Sequence, residues 1–249
     1  MDNNRYLNIL FPVYNEKLRL EKGITKTISY MDHLMREDYW ITIIDNASSD
    51  ETPEIAKKLC QEFSQVRYQR IQEKGVGAAF RAGIADNASP VVGYMDIDLS
   101  TDIRHLKKVV RLFQTDADIG MVNGSRWSRR SDTQGRKWHR NLTSHGLTAL
   151  LKLYLGMKAS DAICGFKFYR KDVARHLVQK AGEEENGWFY IIELLLRAER
   201  ENVPIYELPV RWRDDYHTKV NVPALIRNYL VQMIKLKRKF RKEKKRYGV

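Results

Sequence analysis

The chain of 249 residues is long enough for one large domain with a substantial core, and 43% apolar with 30% charged residues is the balance of a folded soluble protein. No run approaches about 18 consecutive apolar residues, so no membrane-spanning helix is expected, and the N-terminal stretch lacks the apolar core of a signal peptide. The formal charge of +13 is uneven, because residues 223–249 hold ten Lys/Arg against one Glu, a net of +9, which leaves +4 for the other 222 residues.

In chain order, a strand at Leu7–Val13 runs into Pro-Val-Tyr-Asn-Glu and precedes a helix around residues 18–37. A second strand, Ile41–Ile44, ends at Asp45 and Asn46 before a helix at 52–64, for which Ser49 or Asp50 is the expected cap and Pro53 stands in the first turn. A third strand, Val66–Arg70, leads through Glu-Lys-Gly-Val-Gly to a helix at 77–87. A fourth, Val91–Met95, is the most apolar and stops at Asp96-Ile-Asp98, followed by a helix at 102–114 and a fifth strand at Ile119–Asn123. The second half is less regular: a helix near 138–156, a strand at Ile163–Tyr169, a helix near 188–201 and a strand at Ile205–Val210. Strands alternating with helices predict an α/β fold with a mostly parallel sheet covered on both faces. The division expected is a catalytic domain over 1–221 and an amphipathic basic extension over 222–249. Ligands of such sheets bind beyond the carboxyl ends of the strands, and all five early strand ends here are polar or carry glycine.

Three of those ends are candidate binding groups. Asp45 and Asn46 place a carboxylate and an amide where a base or ribose would be hydrogen-bonded. Gly75 and Gly77 precede a helix whose N-terminus would favour an anion, although a plain tight turn explains them equally; neither a dinucleotide fingerprint nor a GxxxxGK loop is present. Asp96 and Asp98, one residue apart at the end of a strand, share one face and repel unless a cation neutralises them. Hard oxygen donors suit Mg²⁺ or Mn²⁺, the alternative being a solvated loop with a cap at Ser100–Asp102. The two cysteines, Cys60 and Cys164, show no metal or redox spacing and read as reduced and structural.

FPVYNE, IIDNASSDET and DID, in that order, resemble family 2 glycosyltransferases of the GT-A fold. NGSRW (123–127), DAICGFKFYRKDV (161–173), GWFYIIELLLRAE (187–199) and IYELPVRW (205–212) narrow the resemblance to polyprenyl- or dolichyl-phosphate mannose and glucose synthases. It implies a GT-A nucleotide-diphospho-sugar transferase that moves a hexose from UDP or GDP to a polyprenyl phosphate with inversion. Pro12, Tyr14 and Glu16 would line the nucleotide pocket, Asp45 and Asn46 would hold base and ribose, and Asp96 and Asp98 the metal-bound diphosphate. Arg126 would stand near the acceptor phosphate. The family usually has two aspartates at Asp45–Asn46, and Val76 and Cys164–Lys167 point to different sugar types, so the donor sugar stays open.

A phosphate monoester has a second pKa near ~6 and is already nucleophilic at neutral pH. A hydroxyl acceptor on a lipid-linked glycan or other carbohydrate would instead need a carboxylate base. The candidates are Asp161, Glu193, Asp214 and Asp215, with Asp161 first. Along 222–234, Val222, Leu225, Ile226, Tyr229, Leu230, Met233 and Ile234 follow helical spacing, expected to pack on the domain. The basic run at 235–246 is expected to meet an anionic membrane surface. The location expected is cytoplasmic, peripheral on the inner face of the membrane, with a membrane-protein partner or homo-oligomer compatible. A nucleic-acid partner is not expected, since the strand-end carboxylates would repel phosphates and no nucleic-acid motif is present.

Overall fold

The computed structural model describes residues 5–135, 138–213 and 222–247. Strands β1 (Leu7–Val13), β2 (Tyr39–Asn46), β3 (Val66–Ile71) and β4 (Val91–Met95) alternate with helices α1 (Leu20–Met35), α2 (Thr52–Glu62) and α3 (Val76–Ala85). Then follow α4 (His105–Thr115), β5 (Met121–Ser125), a short β6 (Asp132–Gln134) and α5 (Trp138–Leu155). The chain closes with β7 (Phe166–Arg170), α6 (Lys171–Ala181), α7 (Trp188–Arg200), β8 (Ile205–Pro209), β9 (Arg211–Arg213) and α8 (Val222–Tyr247).

Seven strands form one sheet in the order β3-β2-β1-β4-β7-β5-β8, in which β7 is antiparallel to both neighbours and the other adjacent pairs are parallel. The sequence predicts β5 and β7 but not that β7 inserts between β4 and β5. That insertion brings the Cys164–Lys167 segment beside Asp96 and Arg126. Strands β6 and β9 form a separate two-stranded parallel ladder, joined to the loop after β4 by a bridge between Thr101 and Trp212. Helix α6 and this small ladder are absent from the sequence reading, the ladder because three-residue strands carry too little pattern.

Alternation of side chains sorts the sheet into two apolar layers. Leu7, Ile9, Phe11, Val91 and Met95 face α1, α2 and α4, while Leu10, Val92 and Tyr94 face α3, α6, α7 and α8. Helix α7 is apolar on nearly every side because it lies between its neighbours, with Phe189 to Ala198 all buried. Pro12 is tolerated inside a central strand because the β4 ladder on β1 stops at Leu10, short of its missing N–H.

Helix α8 packs one row only. Tyr229, Met233, Leu236 and Phe240 are buried and join the second layer, with Tyr229 edge-on to Phe189. Arg197 pairs with Glu193 and with Glu243 of α8. Ile226, Leu230, Val231 and Ile234 remain exposed. Core packing expected over 222–234 thus holds for Tyr229 and Met233 but not for Ile226, Leu230 and Ile234, and the buried row continues through Leu236 and Phe240 into the basic run expected to meet a membrane surface. The side chain of Val222 lies outside the described residues. No described helix is long and apolar enough to cross a membrane.

Candidate active site

The loops after β1 and β2 are stitched to one another. The Asn15 N–H donates to the Ser48 hydroxyl at 2.9 Å, the Ser49 N–H to the Asn15 side-chain oxygen at 2.8 Å, and the Glu16 N–H to the Thr52 hydroxyl at 2.8 Å. Asn15 and Ala47 both take positive φ, which makes the sharp turns this crossing needs. The formal cap of α2 is Glu51, without a side-chain hydrogen bond, and Asp50 instead accepts the Thr52 N–H at 3.0 Å.

Asp45 is fully buried and accepts from the Ser48 N–H at 2.8 Å, the Tyr68 hydroxyl at 2.9 Å and Arg70 at 3.0 Å. Tyr68 and Arg70 also line a cleft of about 580 Å³ with Ser48, Ser49, Asp50, Pro53, Glu54 and Lys57. Asn46 holds two loops together: its amide nitrogen donates to the Val13 carbonyl at 3.2 Å, and its oxygen accepts the Gly75 N–H at 3.2 Å. A carboxylate could not donate to Val13, which gives the amide at this position a physical reason.

The helix end after Gly75 is occupied. The Asn186 carbonyl accepts the N–H groups of Gly77 at 2.8 Å and Ala78 at 3.2 Å. Gly75 has φ of 129°, and a Cβ there would lie 2.0 Å from that same carbonyl oxygen; one on Gly77 would lie 2.5 Å from the Tyr190 Cβ. The two glycines let α3 approach the start of α7, and the N–H groups of Gly75, Gly77 and Ala78 are already paired. Lys74, which the sequence reading passed over, reaches across to Tyr14, donating to its hydroxyl at 2.9 Å with the ring 4.7 Å away. Tyr14 is 44% exposed, and Pro12 is partly covered. Glu16 accepts two hydrogen bonds from Arg19, both 2.7 Å.

Asp96 and Asp98 lie beyond β4, which ends at Met95, so the shared strand face is not what relates them. A turn at 97–98, with Leu99 at φ of 52°, brings the pair together instead. Asp98 accepts the Ser100 N–H at 2.8 Å. Burial pushes the Asp96 carboxyl up to about 8, the Asp98 and Glu16 charges push the same way, and Arg126 and Lys167 oppose them. A Cβ on Gly165 would sit 2.0 Å from an Asp96 carboxylate oxygen, so the glycine of the Cys164–Lys167 segment makes room for Asp96.

Two buried basic side chains act on Asp96 through their charge. Lys167, fully buried, donates to the Cys164 carbonyl at 2.7 Å, and burial pushes its ammonium pKa down. Arg126, 7% exposed, forms a two-pronged pair with Asp161 through Nε at 2.7 Å and Nη2 at 3.0 Å. Its guanidinium lies 5.7 Å from the Trp127 ring and 5.6 Å from Trp212.

Asp161 also accepts N–H groups from Arg126 at 3.1 Å, Ile163 at 2.9 Å and Cys164 at 3.2 Å. Burial would raise its carboxyl, but the Arg126 charge and these hydrogen bonds outweigh that and hold it at about 2. A carboxylate so engaged is a poor proton acceptor, and the geometry gives Asp161 the task of aiming Arg126. Glu193 accepts from Arg197 at 2.9 Å and Lys239 at 3.2 Å and serves the α7–α8 contact. Asp214 and Asp215 lie outside the described residues.

The strand ends thus gather an anionic turn against a cationic wall. Two hard carboxylates, one held protonated near neutral pH by burial and by its neighbour's charge, fit Mg²⁺ or Mn²⁺, ions that take remaining ligands from water and phosphate oxygens. Among the described residues no group of three His, Cys, Asp or Glu forms an all-protein metal cage. Both cysteines are free; burial raises the Cys164 thiol to about 11, which makes it inert.

Residues 8–178 match the profile of glycosyl transferase family 2, and the chain belongs to that family. It is 29% identical over 220 residues to glycosyltransferase AglD of Haloferax volcanii, an alignment covering 87% of this chain and 34% of AglD; the chain thus spans about a third of that relative. It is 28% identical over 224 residues to a dolichyl-phosphate beta-glucosyltransferase of Dictyostelium discoideum, covering 85% of this chain and 68% of the relative. Among solved structures, the fold matches glucosyl-3-phosphoglycerate synthase of Mycobacterium tuberculosis in complex with Mn²⁺, UDP and phosphoglyceric acid. That match has a TM-score of 0.68 at 15% identity and covers 93% of this chain and 78% of the other. The fold is GT-A.

Proposed function

We propose that this family 2 glycosyltransferase moves a hexose, glucose foremost, from a nucleotide diphosphate to a polyprenyl phosphate, with inversion at the anomeric carbon. The observation that carries the reading is the opposition of the Asp96–Asp98 turn to Arg126 and Lys167 at the carboxyl edge of the sheet. The names of the dolichyl-phosphate relatives support the acceptor, and the UDP in the structural neighbour supports a uridine donor.

Asp45, with Tyr68 and Arg70 behind it, and Asn46 supply the nucleoside end of the donor site, while Pro12, Tyr14 and Glu16 border it from β1. Gly75 and Gly77 act by letting the Lys74 loop sit beside Tyr14. Asp96 and Asp98 would hold a divalent ion, which when bound would supply positive charge to stabilise the leaving diphosphate. Arg126 and Lys167 offset repulsion between the acceptor phosphate and the donor diphosphate, and Asp161 keeps Arg126 in place. The acceptor, largely deprotonated at neutral pH, needs no protein base. This suits a site in which Asp161 and Glu193 are both bound by cations. The enzyme works peripherally on the cytoplasmic face of the membrane.

The test is incubation with Mg²⁺ or Mn²⁺, labelled UDP- and GDP-hexoses and polyprenyl phosphate, reading chloroform-soluble sugar. Label in the lipid phase is expected, and Asp98→Ala abolishes it. Transfer only to hydroxyl acceptors, or normal transfer by Asp98→Ala, overturns the reading.

A further inference from the structure

Nine large hydrophobic side chains are exposed among the described residues, and six of them, Leu150, Leu153, Ile226, Leu230, Val231 and Ile234, lie on just two helices, α5 and α8. The helices pack together, with the Lys237 ammonium 3.8 Å from the centre of the Tyr154 ring. Leu153 is 87% exposed, one residue from that contact. On α8, Ile226, Leu230 and Ile234 follow one another at four-residue steps, and Lys237 and Arg241 continue the same row toward the C-terminal end. Residues of α8 carry ten Lys/Arg and a single acid, Glu243, which is bound to Arg197. This flank lies beside the buried row of Tyr229, Met233, Leu236 and Phe240 that fastens the helix to the domain.

We propose that the α5–α8 face is a membrane-docking surface, in which Leu153, Ile226, Leu230 and Ile234 enter the apolar edge of an anionic bilayer while Lys237, Arg241 and their neighbours meet its phosphates. A helix of this make-up lies in the interface plane, and its cations are drawn to an anionic leaflet. Charge selects the occupant. A second copy would set one ten-cation helix against another, and a nucleic acid would leave the aliphatic row unsatisfied. Helix α5 also links this face to the site, because His145 stacks 4.0 Å from the Trp127 ring, next to Arg126. Leu153 lies eight residues further on, about 12 Å along the axis. The docked enzyme therefore holds Arg126 close to phosphates at the bilayer surface. The inference stands on these two helices and does not require the donor or acceptor reading.

The experiment is co-sedimentation of the full chain with phosphatidylcholine vesicles, with and without phosphatidylglycerol, at low and high salt. The variants are Leu230→Glu with Ile234→Glu on α8, and separately Leu153→Glu on α5, whose side chain is too exposed to upset folding. The wild type is expected to bind the anionic vesicles and not the neutral ones. Each variant is expected to bind at least about tenfold more weakly, with an unchanged Tm and unchanged transfer to a short, water-soluble prenyl phosphate. That last readout separates failure of docking from failure of the catalytic reading. Wild-type affinity in the variants, binding to neither vesicle, salt-sensitive binding to RNA without vesicles, or a dimer that the variants convert to monomer would each overturn the proposal.

Discussion

Replacing Asp161 by asparagine separates a residue that positions Arg126 from one that accepts a proton. The side chain is fully buried and holds the Arg126 guanidinium at 2.7 and 3.0 Å. Its carboxyl titrates at about 2 in the folded protein, against about 3.9 in an unfolded chain. Two pKa units are worth about 2–3 kcal/mol. Because the folded value is depressed, that contribution is fully present above about pH 4 and is lost as the pH falls through about 2. Asp161→Asn removes the pH dependence and leaves Arg126 as a buried cation facing a neutral amide, a loss of about 3–5 kcal/mol at neutral pH. Urea unfolding at pH 7 and across the acid range reads both effects. In transfer assays, the variant is expected to bind the acceptor phosphate weakly because Arg126 is no longer aimed. A variant as stable as the wild type, with normal acceptor KM but kcat reduced by several orders of magnitude, would refute the positioning role and make Asp161 the base.

Asp96 holds a proton up to about pH 8, so divalent-ion affinity is expected to rise about tenfold per pH unit toward 8 and then level off; calorimetry on wild type and Asp96→Asn checks the slope. The same raised value means that the metal-free folded state binds a proton the unfolded chain has released, so stability in EDTA falls as pH rises from about 4 to about 8. Gly75→Ala sets a Cβ 2.0 Å from the Asn186 carbonyl at a φ of 129° and should cost at least about 2 kcal/mol in a denaturant melt; an unchanged midpoint would show that the α3–α7 contact is not fixed. His105 Nε2 accepts the Arg211 N–H at 2.7 Å, and burial depresses its pKa. The unfolded chain therefore gains the proton first, and stability should drop as pH falls below about 6.5, a slope that His105→Phe should lack.

The α/β alternation was legible because β1 and β4 are continuous apolar runs and the helices between them carry one apolar face, both local properties. The polar strand ends were legible for the same reason, since each stands where an apolar run stops. Asp96 and Asp98 were found through such an ending, although the relation between them is a turn. What the sequence could not contain is adjacency between distant segments. Strand β7 enters the sheet between β4 and β5, and only that register sets Gly165 under Asp96 and Lys167 beside it. Asp161 reads as a base from its place in a motif, yet its pKa depends on Arg126, 35 residues away. Gly75 and Gly77 read equally as an anion-favouring helix start or a tight turn, and nothing local shows that Asn186 from the far side of the chain packs against them. On α8 the periodicity marks the helix, but the surface covered by α7 decides which apolar row is core and which is left for another surface. Local pattern determines where elements form and where they end; the charge state and the partners of a side chain follow from non-local packing, which tertiary structure alone supplies.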